Sequence, residues 1–544
     1  MSRIKLSDLT LREKIGQTGT VQSPTIINME SEGKMDEYLK NNPISVWHTC
    51  NAAMTAANLE YLSCDEPQDS EFYRRWTKRY KKHFRVPPFI ALDPPSGAYA
   101  SDLPNLPPAP HIGAAANDDY AYKHGKYMAL MARSLGANWL WGTEVDMPSR
   151  FSASSVCRKI SSDLDILTKY ASLSMKGGQD TGVVMTTKHF PGADTKEYRD
   201  SHFCATINRS SMEEWHALQG EAFKRLIDAG TLSIMVGHKG FPAMDDRKAG
   251  ASYIPSTVSY NVCTKLLKEE LGFKGVVVTD AVDMAALKTI YPSLDDLYVA
   301  ILNAGVDIVL GVSDIHYIDR VEKAVLEGRI PMERIDDACQ RIMDVKEKMG
   351  LFDEQEEIVM TPELREEITR FGYEVAESAL CLQCDRQNLL PLKPEKIKSV
   401  AILCFSHTDY FSEDLRIMKG EFEKRGIKVR LQRRVASYDE MQEIADENDL
   451  IIYAAYVAPH APMGGSGLFL EECRALFYAL TAGREKSIGV SMCSPYVYYD
   501  YFISMDTYIH TFSRSKNSQI AFVKALFGEI PFKGVYPYEK PWEE

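Results

Sequence analysis

Short apolar runs that end in polar residues recur through the first 350 residues, and they constrain the fold more than any other feature. Such runs, separated by helical patterns, are typical of strands buried on both faces in a parallel sheet. The runs are "ISVWHT" (44–49), "FIALD" (89–93), "ANWLWGTEVDM" (137–147), "VVMTTKH" (183–189), "LSIMVGH" (232–238), "GVVVTD" (275–280) and "VDIVLG" (306–311). Seven or eight strands alternating with helices predict an α/β fold that closes as a (β/α)8, TIM-like barrel.

One helix between these runs can be predicted in detail. The stretch "SYNVCTKLLKEELG" (259–272) opens at Ser259, places Val262, Leu266 and Leu267 on one side, and stops at Gly272. It leads directly into the run "GVVVTD", as a helix between two parallel strands must.

A second alternating series follows a helix for which Thr361 is the predicted cap and Pro362 the first residue. We expect a TIM-like catalytic barrel over 1–355, a linker with a helix over 356–396, and a smaller α/β sandwich domain over 397–544. The glycine-rich "PMGGSG" (462–467) is interpreted as a tight turn in preference to an anion-binding loop. The runs of the second series are "SVAILCF" (399–405), "KVRLQR" (428–433), "LIIYAAYV" (450–457) and "SIGVSMC" (487–493).

Charge and cysteine spacing exclude several classes of protein. A formal net charge of −13 over 544 residues argues against nucleic acid as a partner, because phosphate binding needs a basic face. No stretch approaches the roughly 18 apolar residues of a membrane span, and the start lacks a signal-peptide core, so we expect no membrane partner and a cytoplasmic location. The 11 cysteines are an odd number at irregular spacing and are interpreted as reduced thiols.

Ionisable side chains mark the ends of the predicted strands. A parallel barrel brings the C-terminal ends of its strands to one face, so these side chains should converge there. Capping or loop bracing explains any one of them alone, but convergence of the whole set predicts an active site. The residues are Asp93, Asp146, Lys188, His189, His238 and Asp280.

Two of the acidic residues have chemistry that the pattern itself indicates. Asp280 follows a strand too apolar to lie anywhere but in the barrel wall, so its carboxylate can attack an electrophilic carbon or hold a metal. Asp200 and His202 are two residues apart, which places both on one side only in an extended or turning backbone. There the carboxylate can fix the imidazole tautomer and leave the other ring nitrogen to exchange a proton.

These motifs resemble the glycoside hydrolase family 3 β-N-acetylglucosaminidases that use a His/Asp dyad as acid/base. The resemblance rests on "KHFPG" (188–192) with the Asp-Thr after it, on "DSH" (200–202), and on "GVVVTDAVDM" (275–284). Further matches fall in the family's order over nearly the whole chain. They are "LTLREKIGQ" (9–17), "SRF" (149–151), "IMVGHKGFP" (234–242), "PSTVS" (255–259), "LLPL" (389–392) and "ALFGEIPFKGVYPYE" (525–539).

The resemblance implies a role for each matched residue. Asp280 corresponds to the nucleophile that forms a covalent glycosyl-enzyme, His202 to the acid/base, and Asp200 to the residue that orients it. It implies a retaining exo-acting β-N-acetylhexosaminidase with a small carbohydrate substrate and with no metal or cofactor. The residues expected to bind substrate are Asp93, Arg150, Lys188 and His189, and we add His238 from its position at a strand end.

The chain departs from the family pattern in two places. The family's "PGHGDT" is here "PGADT", one residue shorter, and the stretch from Thr195 to Asp200 is two residues longer, which predicts a remodelled dyad loop. After Asp93 the family continues Glu-Gly-Gly-Arg, whereas this chain reads Pro94-Pro95-Ser96-Gly97-Ala98 and lacks the sugar-binding arginine. The choice of substrate within the amino-sugar class is therefore open.

Three alternatives remain open at this point. One is a β-N-acetylglucosaminide phosphorylase, since a neutral histidine does not repel phosphate in the second step, or another glycosidase of family 3. Another is a metal-dependent hydrolase with His189, His202, His238 and Asp280 as ligands, although their spacing matches no short metal motif. The third is a non-catalytic sugar-binding homologue that keeps the dyad but has a changed sugar pocket.

Overall fold

The computed structural model describes residues 4–49, 69–93, 100, 102–148, 150, 156–311, 314–406, 414–457, 467–468 and 470–541. The chain forms two compact units that interleave in sequence. The first unit contains Met1–Leu106, Ala121–Met147 and Thr168–Glu366, and the second contains Pro107–Tyr120, Pro148–Leu167 and Glu367–Glu544. The three-part division that we expect from the sequence stays a proposal.

Seven parallel strands form the sheet of the first unit, which confirms the predicted α/β fold with a TIM-like barrel. The order of these strands in the sheet is the same as their order in the chain. Between the last two of them, the chain forms a separate two-stranded ribbon, β7 (Lys248–Ala249) and β8 (Ser252–Tyr253). The strands of the large sheet are β1 (Thr20–Gln22), β2 (Val46–His48), β3 (Phe89–Leu92), β4 (Trp139–Leu140), β5 (Val184–Phe190), β6 (Ser233–Val236) and β9 (Val276–Thr279). Strand β1 is absent from the predicted runs because its three residues are too few and too polar to form an apolar run.

The predicted run 306–311 lies between the two edge strands of this sheet. Ile308 forms a parallel bridge with Val278 of β9, and Val309 forms one with Gly19, next to β1. The backbone N–H of Thr20 donates to the carbonyl of Val309 at 3.2 Å. The sheet therefore curls until its edges meet through this segment.

Helices cover the outside of the sheet, and the predicted helix 259–272 is present as a π-type helix, Asn261–Glu270. Its predicted inner residues Val262, Leu266 and Leu267 are buried. The other helices of the first unit are Leu11–Gly16, Ser23–Ser31, Met35–Asn41, Ser70–Lys81, Asp118–Ser134, Leu164–Asp180, Met212–Trp215, His216–Gly220 (π-type), Glu221–Asp228, Ala285–Lys288, Leu294–Ala304, Tyr317–Leu326 and Met332–Lys348, with Asp118–Ser134 and Leu164–Asp180 crossing the unit boundaries.

The second unit has a six-stranded sheet in the order β10-β15-β14-β13-β11-β12. All neighbours are parallel except β10 and β15, which are antiparallel and were not among the predicted runs. The strands are β10 (Cys381–Asp385), β11 (Ser399–Ser406), β12 (Lys428–Gln432), β13 (Leu450–Tyr456), β14 (Ser487–Ser491) and β15 (Thr507–His510). Its helices are Ala109–Ala115, Arg416–Glu423, Tyr438–Glu447, Leu470–Ala479, Tyr498–Phe502 (π-type) and Lys516–Leu526. The helix Pro362–Ser378 starts at its predicted first residue in the first unit and continues into the second.

A buried ion cluster holds the base of β9, the strand that leads to Asp280. The carboxylate of Asp307 is fully buried and accepts from Lys268 Nζ at 2.9 Å and from an Arg334 guanidinium nitrogen at 2.5 Å. Its other oxygen accepts from the backbone N–H of Val277 at 2.9 Å. Because a buried carboxylate is stable only when it is paired and hydrogen-bonded, this arrangement fixes the position of β9.

Lys346 gives the stability of the first unit a dependence on pH. Its ammonium group is fully buried, donates to Gln17 Oε1 at 2.6 Å and lies 4.7 Å from the centre of the Phe89 ring. Burial lowers the pKa of Lys346 to about 7, against a small opposing effect of Cys339. Between pH 7 and about 10.4, the ordinary pKa of lysine, the unfolded chain therefore binds a proton that the folded chain does not, and stability rises with pH.

We expect this rise to disappear in the variant Lys346→Met. Relative to that variant, the wild type should gain about 3 kcal/mol in free energy of unfolding between pH 7 and pH 9.5. Urea titrations of both proteins at the two pH values measure the difference, with Lys348→Met, an exposed lysine of the same helix, as the matched control. If the free energies of unfolding of wild type and Lys346→Met respond equally to pH, the lowered pKa of Lys346 is not the cause of the rise.

Within the described residues, the helices are all too short or too polar to cross a membrane.

Candidate active site

Lys188 and Asp93 form an ion pair at the C-terminal ends of β5 and β3. The distance from Lys188 Nζ to Asp93 Oδ1 is 2.7 Å, and the lysine side chain is 3% exposed. A second carboxylate oxygen, Oε1 of Glu144, lies 3.9 Å from the same ammonium group. A lysine that is so deeply buried needs such partners, and here they are two of the acidic groups at the mouth of the barrel.

A shift of register in β5 accounts for two consecutive side chains that face the site. Lys188 pairs with Met235 of β6, but Phe190 pairs with Val236, so His189 has no partner in the ladder. In a regular strand, neighbouring side chains alternate between faces, and an extra residue in one strand re-aims a side chain. The irregularity lets Lys188 and His189 both contact carboxylates at this end of the barrel.

Asp146 orients His189 toward Asp280. His189 Nδ1 lies 2.7 Å from Asp146 Oδ2, and its backbone N–H donates to the other oxygen at 3.3 Å. Because the carboxylate accepts, Nδ1 carries the proton in this bond and Nε2 is left for the site. The distance from His189 Nε2 to Asp280 Oδ2 is 4.0 Å, which is too long for a direct hydrogen bond.

Asp280 stands directly after β9, and its carboxylate is partly exposed, at 24% of the side-chain surface. Its Oδ1 accepts from the backbone N–H of Ala281 at 2.8 Å. Burial alone would raise the pKa of Asp280, but electrostatic interaction with His189, His238 and Lys188 and the Ala281 hydrogen bond lower it overall. The carboxylate is therefore ionised at neutral pH.

His238 contacts the loop that carries Asp280. Its ring is buried, with Nδ1 2.6 Å from Thr257 Oγ1 and Nε2 2.8 Å from the carbonyl oxygen of Ala281. Burial lowers the pKa of His238, although the charge of Asp280 opposes this effect. A neutral ring that donates from Nε2 to Ala281 supports the turn next to Asp280, and substrate binding by His238 stays a prediction.

The dyad of Asp200 and His202 lies in a turn between β5 and the helix Met212–Trp215. His202 Nδ1 is 2.6 Å from Asp200 Oδ1, and the His202 backbone N–H donates to the same oxygen at 2.9 Å. Asp200 is 7% exposed, whereas the His202 side chain is 49% exposed. The carboxylate accepts from Nδ1–H, which fixes this tautomer and leaves Nε2 to exchange a proton.

The remodelled loop around the dyad is braced by two buried carboxylates. Glu197 accepts from the Arg199 guanidinium at 2.6 Å and from the backbone N–H of Ile207 at 3.1 Å. Asp194 accepts from the backbone N–H groups of Lys196 at 2.8 Å and Arg209 at 3.0 Å. Glu197 and Arg199 both lie in the stretch from Thr195 to Asp200, so this stretch supplies its own brace.

Backbone hydrogen bonds fasten the dyad to the segment that follows Asp280. The N–H of Ala285 donates to the carbonyl of His202 and the N–H of Ala286 to that of Ser201, each at 3.2 Å. The charge of His202 also contributes to lowering the pKa of His238, the residue hydrogen-bonded to Ala281. The dyad and Asp280 therefore belong to the same end of the barrel.

Arg150 belongs to the second compact unit and not to the unit that contains the other predicted site residues. Its guanidinium forms an ion pair with Asp500, and its backbone N–H donates to Glu539 Oε1 at 3.3 Å. Residues 94–98, which lack the family's arginine, lie outside the described residues, as do Ser149, Phe151 and the glycine-rich stretch 462–466.

Sequence reasoning missed two residues of the site, Glu144 and His48. Glu144 contacts Lys188 as described above, and His48 ends β2 within the electrostatic influence of Asp93 and Lys188. A signal for His48 was available, because it occupies the polar end of the run "ISVWHT" just as Asp93 ends the next run. Glu144 lies in the middle of the long run 137–147, where no end is visible in the sequence.

Among the described residues, Glu144, Asp146 and His189 form the group whose ligand atoms are close enough to share a metal ion. This is not the set of the metal-dependent alternative, which requires His238. Both ring nitrogens of His238 are engaged by protein atoms, so it could act as a ligand only after losing one of those bonds. Asp146 and His189 already hydrogen-bond to each other.

The amino-terminal part of the chain matches a known family. Residues 10–345 match the family model described as "Glycosyl hydrolase family 3 N terminal domain". The beta-N-acetylglucosaminidase/beta-glucosidase of Cellulomonas fimi is 29% identical over 255 residues, which cover 45% of this chain and 45% of that protein. Beta-hexosaminidase A of Pseudoalteromonas piscicida is 30% identical over 290 residues, 49% of this chain and 48% of the relative. The chain spans about half the length of these curated relatives.

Solved structures resemble the protein over almost its full length. The beta-glucoside phosphorylase BglX has a TM-score of 0.83 at 21% identity, over 98% of this chain and 94% of that one. A glycoside hydrolase family 3 beta-N-acetylglucosaminidase from Paenibacillus sp. str. FPU-7 has a TM-score of 0.79 at 19% identity, over 98% of this chain and 99% of that one. At such identities the likeness shows a shared fold.

Proposed function

The chain belongs to glycosyl hydrolase family 3, and from this premise we propose that it is a retaining, exo-acting β-N-acetylhexosaminidase. The observation that carries the proposal is the pairing of an ionised Asp280 at the barrel mouth with an Asp200–His202 dyad on the adjoining loop. A nucleophile and a proton-transfer group at the same rim are what double displacement at a sugar carbon requires.

In the first step, Asp280 attacks the anomeric carbon while His202 protonates the departing glycosidic oxygen. The carbon–oxygen bond to the leaving group breaks, and a covalent bond between the sugar and the Asp280 carboxylate forms. His202 donates from Nε2, because Nδ1 is held by Asp200. The buried Asp200 carboxylate favours the protonated ring that must exist before this transfer.

In the second step, the now neutral His202 removes a proton from water, and the resulting oxygen nucleophile attacks the anomeric carbon. The bond to Asp280 breaks, so the configuration is inverted twice and retained overall. His202 regains the proton that it gave to the leaving group. Its exposure of 49% gives it room to alternate between leaving group and water.

The residues at the strand ends supply the contacts to the glycone. Asp93 and Lys188 offer an acceptor and a donor to adjacent hydroxyl groups of the sugar, and His189 Nε2 offers a third contact next to Asp280. The 4.0 Å gap between His189 and Asp280 fits one hydroxyl oxygen that both groups contact. Substrate binding by Arg150, whose guanidinium pairs with Asp500, stays a prediction.

A panel of aryl glycosides tests the proposed activity. We expect release of the aryl group from the β-N-acetylglucosaminide to be faster than from the β-glucoside and β-xyloside, with retained configuration in the initial product by proton NMR. Turnover should be unchanged by a chelator. If only the β-glucoside is turned over, the protein is a β-glucosidase and the proposed substrate is wrong. If none of the three is turned over, a sugar-binding protein is favoured.

The phosphorylase is the second candidate, and the observation that favours it is that the proton-transfer group of the dyad is a histidine and not a carboxylate. A carboxylate base would repel phosphate, whereas the His202 ring after the first step carries no charge. We expect hydrolysis to dominate, so that phosphate leaves the rate of aryl release unchanged and free sugar is the product. Accumulation of the sugar 1-phosphate in phosphate buffer would decide for the phosphorylase.

A further inference from the structure

Cys157 and Cys493 face each other in the second unit, although they are 336 positions apart in the chain. Both are free thiols, and their Sγ atoms are 2.9 Å apart. This distance is shorter than the about 3.5–4.0 Å at which even carbon atoms make their best non-bonded contact, and longer than the about 2.05 Å of a disulfide bond. The two side chains therefore already point at each other, and a small movement would join them.

The contact between two sulfur atoms distinguishes this pair from other cysteines of the chain. The thiols of Cys263 and Cys473, for example, donate to backbone carbonyl oxygens. Cys157 and Cys493 are both partly exposed, so a small oxidant can reach them. The pair thus combines proximity with access, which are the two conditions for an intramolecular disulfide.

The backbone holds both cysteines in place. The hydroxyl of Tyr538 donates to the carbonyl of Lys159, two residues after Cys157, at 2.6 Å. The residues on either side of Cys493 donate from their backbone N–H groups to carbonyls at and just beyond the end of β13, at 2.9 and 3.2 Å. Because the chain is fixed next to each sulfur, the pair stays within reach of bond formation.

The same two stretches of chain also meet at the Arg150–Asp500 ion pair. Cys157 lies in the short helix Val156–Arg158, seven residues after Arg150. Cys493 follows β14 and lies seven residues before Asp500. A bond between the two sulfurs would therefore add a covalent link to a junction that an ion pair already forms.

We propose that Cys157 and Cys493 form a reversible disulfide when the protein meets hydrogen peroxide, and that this bond fastens the segment after Arg150 to the sheet of the second unit. One thiolate attacks a peroxide oxygen and becomes a sulfenic acid, while the other oxygen leaves as hydroxide and takes up a proton. The second thiol then attacks the sulfenic sulfur, so that the S–S bond forms and water leaves. Two thiols lose two electrons, and the peroxide is reduced to two molecules of water. A dithiol reductant reverses the reaction by exchange.

Peptide mass spectrometry after peroxide treatment and alkylation of the remaining thiols tests the proposal. We expect a peptide pair joined through Cys157 and Cys493, which dithiothreitol separates. The oxidised protein should have a midpoint of thermal unfolding about 5 °C higher than the reduced protein, because the link closes a long loop. Amide hydrogen exchange in residues 156–162 should become slower at the same time.

Cys157→Ser and Cys493→Ser should each abolish the linked peptide and the rise in the unfolding midpoint. Cys473→Ser is the matched control, because Cys473 is also partly exposed but donates to a backbone oxygen, and this variant should respond as the wild type does. If peroxide leaves both thiols of the wild type open to alkylation, or converts them separately to sulfinic acids, the inference is wrong. An equal rise in the unfolding midpoint of Cys493→Ser would overturn it as well. If a serine variant does not fold, the linked peptide of the wild type and its reversal by dithiothreitol decide the question.

Discussion

Replacing Asp280 by glycine should lower kcat on an aryl β-N-acetylglucosaminide at least about 1,000-fold. The substitution removes the atom that forms the covalent bond to the sugar, and no other described carboxylate occupies the end of β9. The gap that it leaves admits a small anion, so sodium azide should restore turnover and yield a glycosyl azide of inverted configuration. Stopped assays for aryl release, with NMR of the azide product, measure both effects.

Asp283→Asn is the control for this substitution, because Asp283 is an exposed carboxylate three residues further along the same loop. It should retain the wild-type rate. Mass spectrometry of a peptide that contains Asp280, after reaction with a slow 2-fluoro substrate, should find the sugar on that residue. If the sugar label is found on another residue, or if Asp280→Gly keeps full activity, Asp280 is not the nucleophile.

The ionisation of Asp280 should also determine the acid side of the pH profile of kcat/KM. Its pKa is lowered by His189, His238 and Lys188 in spite of burial, and only the ionised form attacks. The pKa of Asp280 therefore lies below the ordinary aspartate value near 3.9, and activity should be lost only when the pH falls through this lowered pKa. Any loss of activity at higher pH, above about 5, has to come from a group other than Asp280.

His202→Ala should lower kcat/KM about 100- to 10,000-fold on substrates whose leaving group needs a proton. An alkyl or sugar leaving group depends on proton donation, whereas dinitrophenolate departs without help, so the loss should be much smaller with the dinitrophenyl glycoside. With that substrate the second step becomes limiting, because no base activates water. A steep dependence of kcat/KM on leaving-group pKa, measured over a series of aryl glycosides, identifies the missing acid.

Asp200→Asn tests the orienting carboxylate separately. The amide keeps the shape of the side chain but loses the charge that favours a protonated His202, so we expect a smaller loss than in His202→Ala with the same dependence on leaving group. His316→Ala, at an exposed histidine outside the site, is the control. A uniform loss over all leaving groups in His202→Ala would show that the ring does not transfer the proton to the departing oxygen.

Local sequence patterns were sufficient for the architecture of the first unit. Six of the seven predicted runs contain a strand of the parallel sheet, and the seventh bridges its edges, because a strand buried on both faces requires a continuous apolar run. The strands that no predicted run covers are β1, which is short and polar, and in the second unit the edge strand β10 and its antiparallel neighbour β15. Their formation depends on pairing with distant residues, which no local pattern records.

The ionisable groups at the ends of the buried strands can be identified from the amino-acid sequence, because burial forces polar residues to the first position beyond an apolar run. How those groups combine depends on the folded chain. It paired Lys188 with Asp93, turned His189 toward Asp280 through a shifted register, and placed Arg150 with Asp500 in the second unit. Many carboxylates are chemically equivalent in a sequence, and only the folded chain brings particular ones within bonding distance. The neutral state of His48 has the same origin, since burial in the folded chain lowers the pKa of its ring to about 4.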